Sequence, residues 1–161
     1  MKKIIILLLL VIAGVTVKAQ SSGYDFSVGN YYYKVTSELT REVALVRNWD
    51  ACIVYTDDIV IPDSVPYNNS YYKVTAIEQL VFLEARIRSI VFPKWLRTIG
   101  DYAFEGATFG INSATLSFPK SVTAIHNGAF SGCSGIEKIS IPAAVSIIGL
   151  NAFAGIQTLK A

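Results

Sequence analysis

Apolar residues recur around proline at fixed offsets through the second half of the chain. Each copy has an apolar residue before Pro, an isoleucine six residues after Pro, and an Ala-Phe pair that begins ten residues after it. The prolines that set these offsets are Pro93, Pro119 and Pro142. The residues that share the offsets are Ile99, Ile125, Ile148, Ala103-Phe104, Ala129-Phe130 and Ala152-Phe153. Spacings of 26 and 23 residues between the prolines predict a stack of short structural repeats.

An earlier and less regular copy precedes these three. It opens at Ile61-Pro62, and its residues 74–77 have the same Val-Thr-Ala-Ile sequence as residues 122–125. Val81-Phe82 stands where the later copies have Ala-Phe, and a polar insertion around residues 66–72 divides the copy. Because several offsets agree together, the pattern predicts about four repeats.

The residues before each proline predict a β-strand. Ile136, Ile139 and Ile141 stand six, three and one residues before Pro142, and the copy before Pro93 has the same spacing. Side chains alternate between the two faces of a strand, so one face is expected to point inwards and the other outwards. Proline donates no backbone hydrogen bond and is expected to end the strand.

The Ala-Phe pairs predict one turn of helix in each repeat. Asp101 or Asn127 precedes the pair and is of a type that caps a helix start. Gly106, Gly132 and Gly155 follow it and suit the left-handed conformation that ends a helix. The predicted fold is therefore an α/β solenoid of short strands and short helical turns, with a core of stacked Phe and Ile side chains.

Residues 20–58 lack the repeat and are rich in residue types that favour strands. The segments that favour strands are 24–26, 31–36, 42–46 and 53–55. A repeat stack exposes the core face of its first repeat unless another segment covers that face. We therefore expect a β-rich N-terminal cap over residues 20–58 and the repeat solenoid over residues 59–161.

The repeat resembles the BspA-type leucine-rich repeat of secreted and surface bacterial proteins. The shared pattern is Ile-x-x-Ile-x-Ile-Pro, then a Val-x-x-Ile-Gly-like piece, then Ala-Phe-x-Gly-Cys, and residues 116–135 and 136–155 match it most closely. His126 departs from the pattern, since the family usually has Gly there. The resemblance implies a leucine-rich-repeat fold and attachment at the cell surface to host matrix proteins or to other cells.

Residues 1–19 have the composition of a secretory signal peptide. Two lysines follow the initial Met, residues 4–13 are apolar, and Val17 and Ala19 are small residues at the expected cut. The rival interpretation is a membrane anchor, but the apolar stretch is about 14 residues, against the ~20 that a spanning helix needs. No Cys follows the cut, so no lipid attachment is expected. The protein is expected to be secreted or at the cell surface, with no membrane insertion after signal removal.

The charge balance changes when the signal peptide is removed. The full chain has 14 basic and 12 acidic residues, and three lysines leave with the signal. A nearly neutral mature chain has no electrostatic reason to bind nucleic acid. No run of charge indicates a membrane-surface role either.

The residues that carry chemistry form no catalytic pattern. The one histidine, His126, lies in a turn of a repeat, and no nucleophile, phosphate-loop, dinucleotide or zinc-protease motif occurs. Asp57 and Asp58 would point to opposite faces of a strand, and their spacing with Asp63 fits no known calcium loop. Neither an enzyme nor a cofactor site is expected.

The two cysteines lie far apart in the chain. Cys52 and Cys133 are flanked by apolar or small residues and are expected in different parts of the stack. Buried free thiols, which behave as small hydrophobic side chains, are therefore favoured over a disulfide.

Two surfaces are candidates for binding. The outward residues of the predicted strands would form one face, represented by Arg88, Ser89, Thr115, Ser117, Lys138 and Ser140. The polar insertion adds Tyr67, Tyr71 and Tyr72, since tyrosine is enriched at recognition surfaces. One expected function is a binding or adhesion module for an extracellular protein or glycan. The other is a structural spacer or a truncated fragment of a longer repeat protein, because residues 156–159 restart a strand near the end of the chain.

Overall fold

The computed structural model describes residues 15–17 (backbone only), 23–51, 53–110 and 115–160. These residues contain fourteen strands and no helix. The strands are β1 (Val15–Val17), β2 (Phe26–Val28), β3 (Tyr31–Ser37), β4 (Glu42–Val46), β5 (Thr56–Val60), β6 (Ser64–Tyr67), β7 (Ser70–Ile77), β8 (Arg86–Val91), β9 (Thr98–Ile99), β10 (Thr108–Phe109), β11 (Thr115–Ser117), β12 (Ala124–Ile125), β13 (Lys138–Ser140) and β14 (Ile147–Ile148). Apart from β1, the predicted signal peptide lies outside the described residues. Within them, no helix has the length and apolar character to cross a membrane.

The larger sheet joins the N-terminal region to the repeats. The antiparallel strands β1, β2, β3 and β4 lead into the parallel strands β7, β9, β12 and β14, and β6 pairs with β7. Leu45, Ile77, Ile99, Ile125 and Ile148 stand in register across the parallel part. The shared offset after proline thus produces one column of apolar side chains.

The strands before the prolines form two smaller parallel sheets. β8 lies between β5 and β10, and β11 pairs with β13. β8, β11 and β13 each end directly before an apolar-Pro pair, as expected from the missing N–H donor. Ile87 and Leu116 point inwards and are 0% and 1% exposed. Strand alternation therefore divides these segments into a core side and an outer side.

The Ala-Phe segments are turns, so the prediction of helical turns was wrong. Tyr102, Gly128 and Asn151 each adopt a left-handed conformation two residues before the Phe, at φ values of 54°, 58° and 56°. A left-handed residue interrupts the uniform right-handed dihedral angles of a helix. Every second N–H group of the turn donates to the following repeat, as the Phe104 N–H does to the carbonyl of Ala129 at 2.8 Å, while those between them, such as the N–H of Glu105, donate within the turn.

Asp101 and Asn127 link successive repeats and do not cap helices as predicted. The N–H of Asn127 donates to Asp101 Oδ1 at 2.9 Å, and the N–H of Leu150 donates to Asn127 Oδ1 at 2.8 Å. The turn that follows each of these residues already has carbonyl acceptors for its N–H groups. The side-chain oxygen is therefore available to the next repeat.

The predicted stack of phenylalanines is confirmed. The ring centroids of Phe104 and Phe130 are 4.8 Å apart with an interplanar angle of 6°, and those of Phe130 and Phe153 are 5.5 Å apart at 8°. Phe82 extends the stack at 4.8 Å from Phe104. Phe82, Phe104 and Phe130 are fully buried, whereas Phe153, at the end of the stack, is half-buried.

The polar insertion is a hairpin, formed by β6 and β7, that packs on the sheet. Asn68 and Asn69, between β6 and β7, have φ values of 46° and 56°, as the two central residues of a type I′ turn require. β7 also pairs with β4, which makes the hairpin continuous with the N-terminal strands. The ring of Tyr67 stacks on that of Phe26 at 4.4 Å.

Two strands predicted in the N-terminal region are confirmed, at β3 and β4, whereas β2 shares only Phe26 with the predicted segment 24–26. The strand predicted at residues 53–55 is wrong, since β5 begins only at Thr56. Contacts of the Tyr55 side chain hold this segment: its ring lies 4.9 Å from that of Phe82, and its hydroxyl donates to the carbonyl of Asn30 at 3.0 Å. The expected boundary after residue 58 falls inside β5, which pairs with β8.

Candidate binding surface

The strand residues predicted for binding lie on the outer side of β8, β11 and β13. Ser89 is half-buried, and the exposed ones are Arg88, Thr115, Ser117, Lys138 and Ser140. On β11 and β13 these side chains alternate with those that fill the core, so the same strands supply both the interior and the outer face. On β8, Arg88 and Ser89 are consecutive and stand at a shift in the register between β5 and β8.

Strand register brings four of these residues together. Thr115 stands opposite Lys138, and Ser117 stands opposite Ser140. Neighbouring strands lie about 4.8 Å apart, so the four side chains form a compact polar group. The other two candidates belong to β8, whose sheet shares no strand with the β11–β13 pair in the part of the chain that the structure describes.

Asp58, on β5, forms hydrogen bonds with both binding candidates on β8, Arg88 and Ser89. The sequence did not reveal these contacts. Arg88 Nε donates to Asp58 Oδ1 at 3.0 Å, and a second guanidinium N–H donates to Oδ2. Ser89 Oγ donates to the same carboxylate at 2.6 Å. These hydrogen bonds, from Arg88 first and then Ser89, lower the pKa of Asp58 to about 2. A ligand on this part of the face would therefore meet an ion pair.

The residues two positions before each proline form a second row on the face. Val60 pairs in register with Val91, and both are about half exposed, at 57% and 54%. Ser117 and Ser140 occupy the same repeat position in the later copies. The row thus changes from apolar to hydroxyl-bearing along the stack. Val60 was not singled out from the sequence, although it stands two residues before Pro62, as Ser140 stands two residues before Pro142.

The three predicted tyrosines differ in exposure, because side chains alternate between the two faces along the hairpin strands. Tyr71 is 70% exposed. Tyr67 is half-buried against Phe26. Tyr72 is only 4% exposed, and its hydroxyl donates to the carboxylate of Glu38, so its prediction as a binding residue is wrong. It faces the core because it follows Tyr71 directly along β7.

Trp95 is a further exposed aromatic residue that the sequence analysis did not single out. Its side chain is 42% exposed. Lys73 Nζ lies 4.8 Å and Lys94 Nζ 5.3 Å from the centroid of its ring system. Lys73 and Tyr71 stand two residues apart on β7 and therefore share a face. Strand alternation from Tyr71 could have identified Lys73 as an outward residue. The contact between Lys73 and Trp95 could not be predicted in this way, because it depends on how the hairpin packs against a distant segment.

The repeat region matches a family model described as the BspA type leucine-rich repeat region. The match covers residues 58–161 in six copies, where the alignment on prolines predicted about four. This match extends over more than half of the chain. The chain belongs to the BspA-type leucine-rich-repeat family. A search among curated proteins found no match.

Solved structures share the fold of this BspA-type chain. A leucine-rich repeat protein from Bacteroides ovatus is 29% identical with a TM-score of 0.64, over 83% of this chain and 33% of that one. One from Bacteroides capillosus is 26% identical with a TM-score of 0.63, over 84% and 94%. The pneumococcal vaccine antigen PcpA, 16% identical with a TM-score of 0.55 over 92% and 44%, shows the fold alone. The chain thus spans a third of the Bacteroides ovatus protein and most of the Bacteroides capillosus one.

His126 of the BspA-type repeat lines a shallow depression of about 200 Å³ with Glu78, Gln79 and Asp101. Gly100 allows two backbone segments to approach closely at this site, since a Cβ there would lie 2.9 Å from the backbone N of Gln79. Within the described ranges, no group of three or more His, Cys, Asp or Glu side chains is placed to hold a metal ion. The depression is therefore a polar notch between repeats.

Cys133 is the small residue after Gly in the BspA-type pattern. It is free and buried, and its Sγ lies 3.1 Å from the carbonyl of Phe104, to which it donates. Burial raises the pKa of the thiol to about 12, which keeps it protonated and unreactive. Cys52 lies outside the described residues.

Proposed function

We propose that the protein is a secreted or cell-surface binding module that recognises an extracellular protein or glycan on its outer strand face. The observation that carries this proposal is the in-register group Thr115, Ser117, Lys138 and Ser140. These four side chains are exposed on strands whose opposite side is packed with core residues.

The packed interior favours an external ligand over a small molecule. Phe104, Phe130 and Ile125 are fully buried and in contact with their counterparts in adjacent repeats. An enclosed site for a metabolite needs a concave cavity of several hundred Å³. A row of outward side chains suits an extended ligand that contacts several repeats at once. Binding, with no catalytic step, is the proposed activity.

The composition of the face favours modest affinity for each contact. Ser, Thr and Lys are poor anchors, since binding hot spots are enriched in Trp, Tyr and Arg. Val60 and Val91 add a small exposed apolar area on β5 and β8. Useful affinity would therefore come from many contacts or from several copies of the ligand.

Export is part of the proposal and is supported by the first 19 residues. Their charged start, apolar core and small residues before the expected cut are those of a signal peptide. The BspA-type resemblance also implies a secreted or surface location.

A spacer role is the second candidate, and the last repeat supplies the observation that favours it. Ile147, Ile148 and Leu150 are 52%, 53% and 80% exposed. The corresponding residues Ala124 and Ile125 are covered, at 4% and 0%. An apolar surface of this form suits a further repeat stacked upon it.

The two candidates can be separated with purified protein and immobilised extracellular-matrix proteins and glycans. We expect the parent to bind a member of the panel. A variant with Thr115→Gln, Ser117→Gln and Lys138→Gln should weaken that binding and keep its unfolding midpoint, because it sets no like charges opposite each other and exposed substitutions usually change stability by ~0.5 kcal/mol or less. Tyr102→Ser, an exposed change outside the strand face, serves as the control. Binding by the triple variant equal to that of the parent would place the site elsewhere, and a parent that binds nothing would favour the spacer.

A further inference from the structure

An exposed aromatic and cationic surface lies where the hairpin meets the segment after Pro93. It consists of Tyr71, Lys73, Lys94, Trp95 and Lys120, and is called here the Tyr71–Trp95 surface. We propose that it binds an acidic saccharide, in which sugar rings carry sulfate or carboxylate groups. This surface is distinct from the outer strand face, and the inference rests on the proposed role of the protein as an extracellular binding module.

The indole of Trp95 places two ammonium groups at one site. Lys73 Nζ and Lys94 Nζ lie 4.8 Å and 5.3 Å from its centroid, within the range of cation–π attraction. Lysine is a flexible side chain that loses rotamer freedom when it binds a ligand. Two ammonium groups already held by an aromatic ring lose less of that freedom, which favours binding of an anion.

Tyr71 supplies an open aromatic ring next to this site. It is 70% exposed, and it stacks on no other ring within the part of the chain that the structure describes. Tyr71 and Lys73 point to the same face of β7 and are separated by about 7 Å along the strand. A phenol ring, a fixed ammonium group and the indole thus follow one another across the surface.

Lys120 adds a third ammonium group one repeat further along. It is the first residue after Pro119, as Lys94 is the first after Pro93, so the two occupy the same position in successive repeats. The hydroxyl of Ser121 donates to the carbonyl of Lys94 at 2.8 Å, which joins the two segments directly. Lys120 is exposed and has no ion pair among the described residues.

The charge of the surface is positive although the chain as a whole is nearly balanced. Asp63 is the carboxylate within reach of Lys94, at 3.0 Å. Glu42, on the neighbouring strand β4, is paired with Arg97. Glu42 also stands opposite Lys73 in the strand register. The three lysines and Arg97 thus carry four positive charges against the two carboxylates of Asp63 and Glu42, and this excess favours the approach of an anion.

The combination of rings and charges favours a saccharide over an acidic peptide. A sugar ring presents an apolar face that can lie on Tyr71, while its sulfate or carboxylate groups reach the lysines. Anchoring of a peptide usually requires a pocket for an apolar or aromatic side chain. The contacts around Trp95 are instead polar: Lys73 and Lys94 lie over its ring, and the hydroxyl of Ser121 donates to the carbonyls of Lys94 and Leu96 on either side of it.

Isothermal titration with a size-defined heparin octasaccharide and its desulfated counterpart tests the proposal. The parent should bind the sulfated form, with an affinity that falls as salt is raised. Lys73→Gln with Lys120→Gln should weaken binding about tenfold or more, because hydrogen bonds to charged groups are lost. Tyr71→Ser should weaken it several-fold, while Tyr71→Phe, which keeps the ring, should bind like the parent.

Lys138→Gln on the strand face is the matched control and should leave octasaccharide binding unchanged. Equal binding of the sulfated and desulfated forms, or of the parent and the Lys73/Lys120 variant, would overturn the proposal. Full competition by polyglutamate at equal charge would also overturn it, in favour of an acidic peptide. If a matrix protein binds through the strand face while the octasaccharide does not bind, this inference alone fails. If the parent binds neither, the proposed function fails with it.

Discussion

The two ends of the parallel sheet differ in how their apolar column is covered. At the N-terminal end, Leu45 of β4 stands in register with Ile77, and their exposures are 0% and 1%. At the other end, Ile148 of β14 stands in register with Ile125, yet it is 53% exposed while Ile125 is 0%. The residues have the same character and the same place in the pattern. Only the presence of a covering strand separates them.

The comparison shows that burial in this protein is a property of neighbouring repeats. A single repeat has too few side chains to enclose its own Phe and Ile, so each is completed by the repeats on either side. The N-terminal strands act as the first such neighbour, since β4 pairs directly with β7. Identical substitutions should therefore have different effects at different positions in the stack.

The largest difference is expected within the phenylalanine stack. Phe130→Ala should lower the free energy of unfolding by ~3–5 kcal/mol, because it removes a large side chain that is packed on both sides. Phe153→Ala should cost roughly half as much, since Phe153 is half-buried. Urea denaturation followed by circular dichroism gives both values. A smaller loss of stability for Phe130→Ala than for Phe153→Ala would contradict the placement of Phe130 inside the stack and Phe153 at its end.

A second contrast compares substitutions at the two ends of the apolar column, Leu45 and Ile148. Leu45→Ala should destabilise the protein by ~2–5 kcal/mol, since it leaves a cavity under the N-terminal strands. Ile148→Ala should cost about 1 kcal/mol, because half of its side chain is already in contact with water. Equal losses in the same denaturation assay would contradict the unequal covering of the two ends.

The sequence predicted the stack because several offsets constrain it together. The spacing from proline placed Phe104, Phe130 and Phe153 on one line, and the structure has them there. The prediction of helical turns was wrong because Asp or Asn before the Ala-Phe pair and Gly after it suit a turn as well as a helix. The choice between them depends on N–H groups that donate to the next repeat, which a local pattern does not contain.

The candidate surface was predictable only where strand alternation decides exposure. Alternation placed Thr115, Ser117 and Lys138 outside, and the structure does the same. Trp95 was missed because Lys73 reaches it from the hairpin, 22 residues earlier in the chain. Asp58 was missed because its partner Arg88 lies on another strand. Both features arise from contacts between distant segments.

The smallest effect is expected on the outer face, where contacts are open to solvent. The pKa of Asp58 is lowered from 3.8 to about 2 by hydrogen bonds from Arg88 and Ser89, so folding favours the carboxylate. Its contribution to stability is therefore present above its ordinary pKa of 3.8 and is lost as the pH falls towards 2. Asp58→Asn should remove that part of the acid sensitivity, with little change at pH 7 because the pair is exposed. A carboxyl NMR titration that gives Asp58 a pKa at or above 3.8 would contradict the contact.

Amide hydrogen exchange at the phenylalanines tests most directly whether each repeat is completed by its neighbour. The N–H groups of Phe104 and Phe130 donate to the carbonyls of Ala129 and Ala152 at 2.8 Å and 2.7 Å. The N–H of Phe153 has no such acceptor in the described residues. We expect Phe104 and Phe130 to exchange only on global unfolding, and Phe153 to exchange much faster through local opening. Equal rates at the three positions would contradict the stacking of the repeats described above.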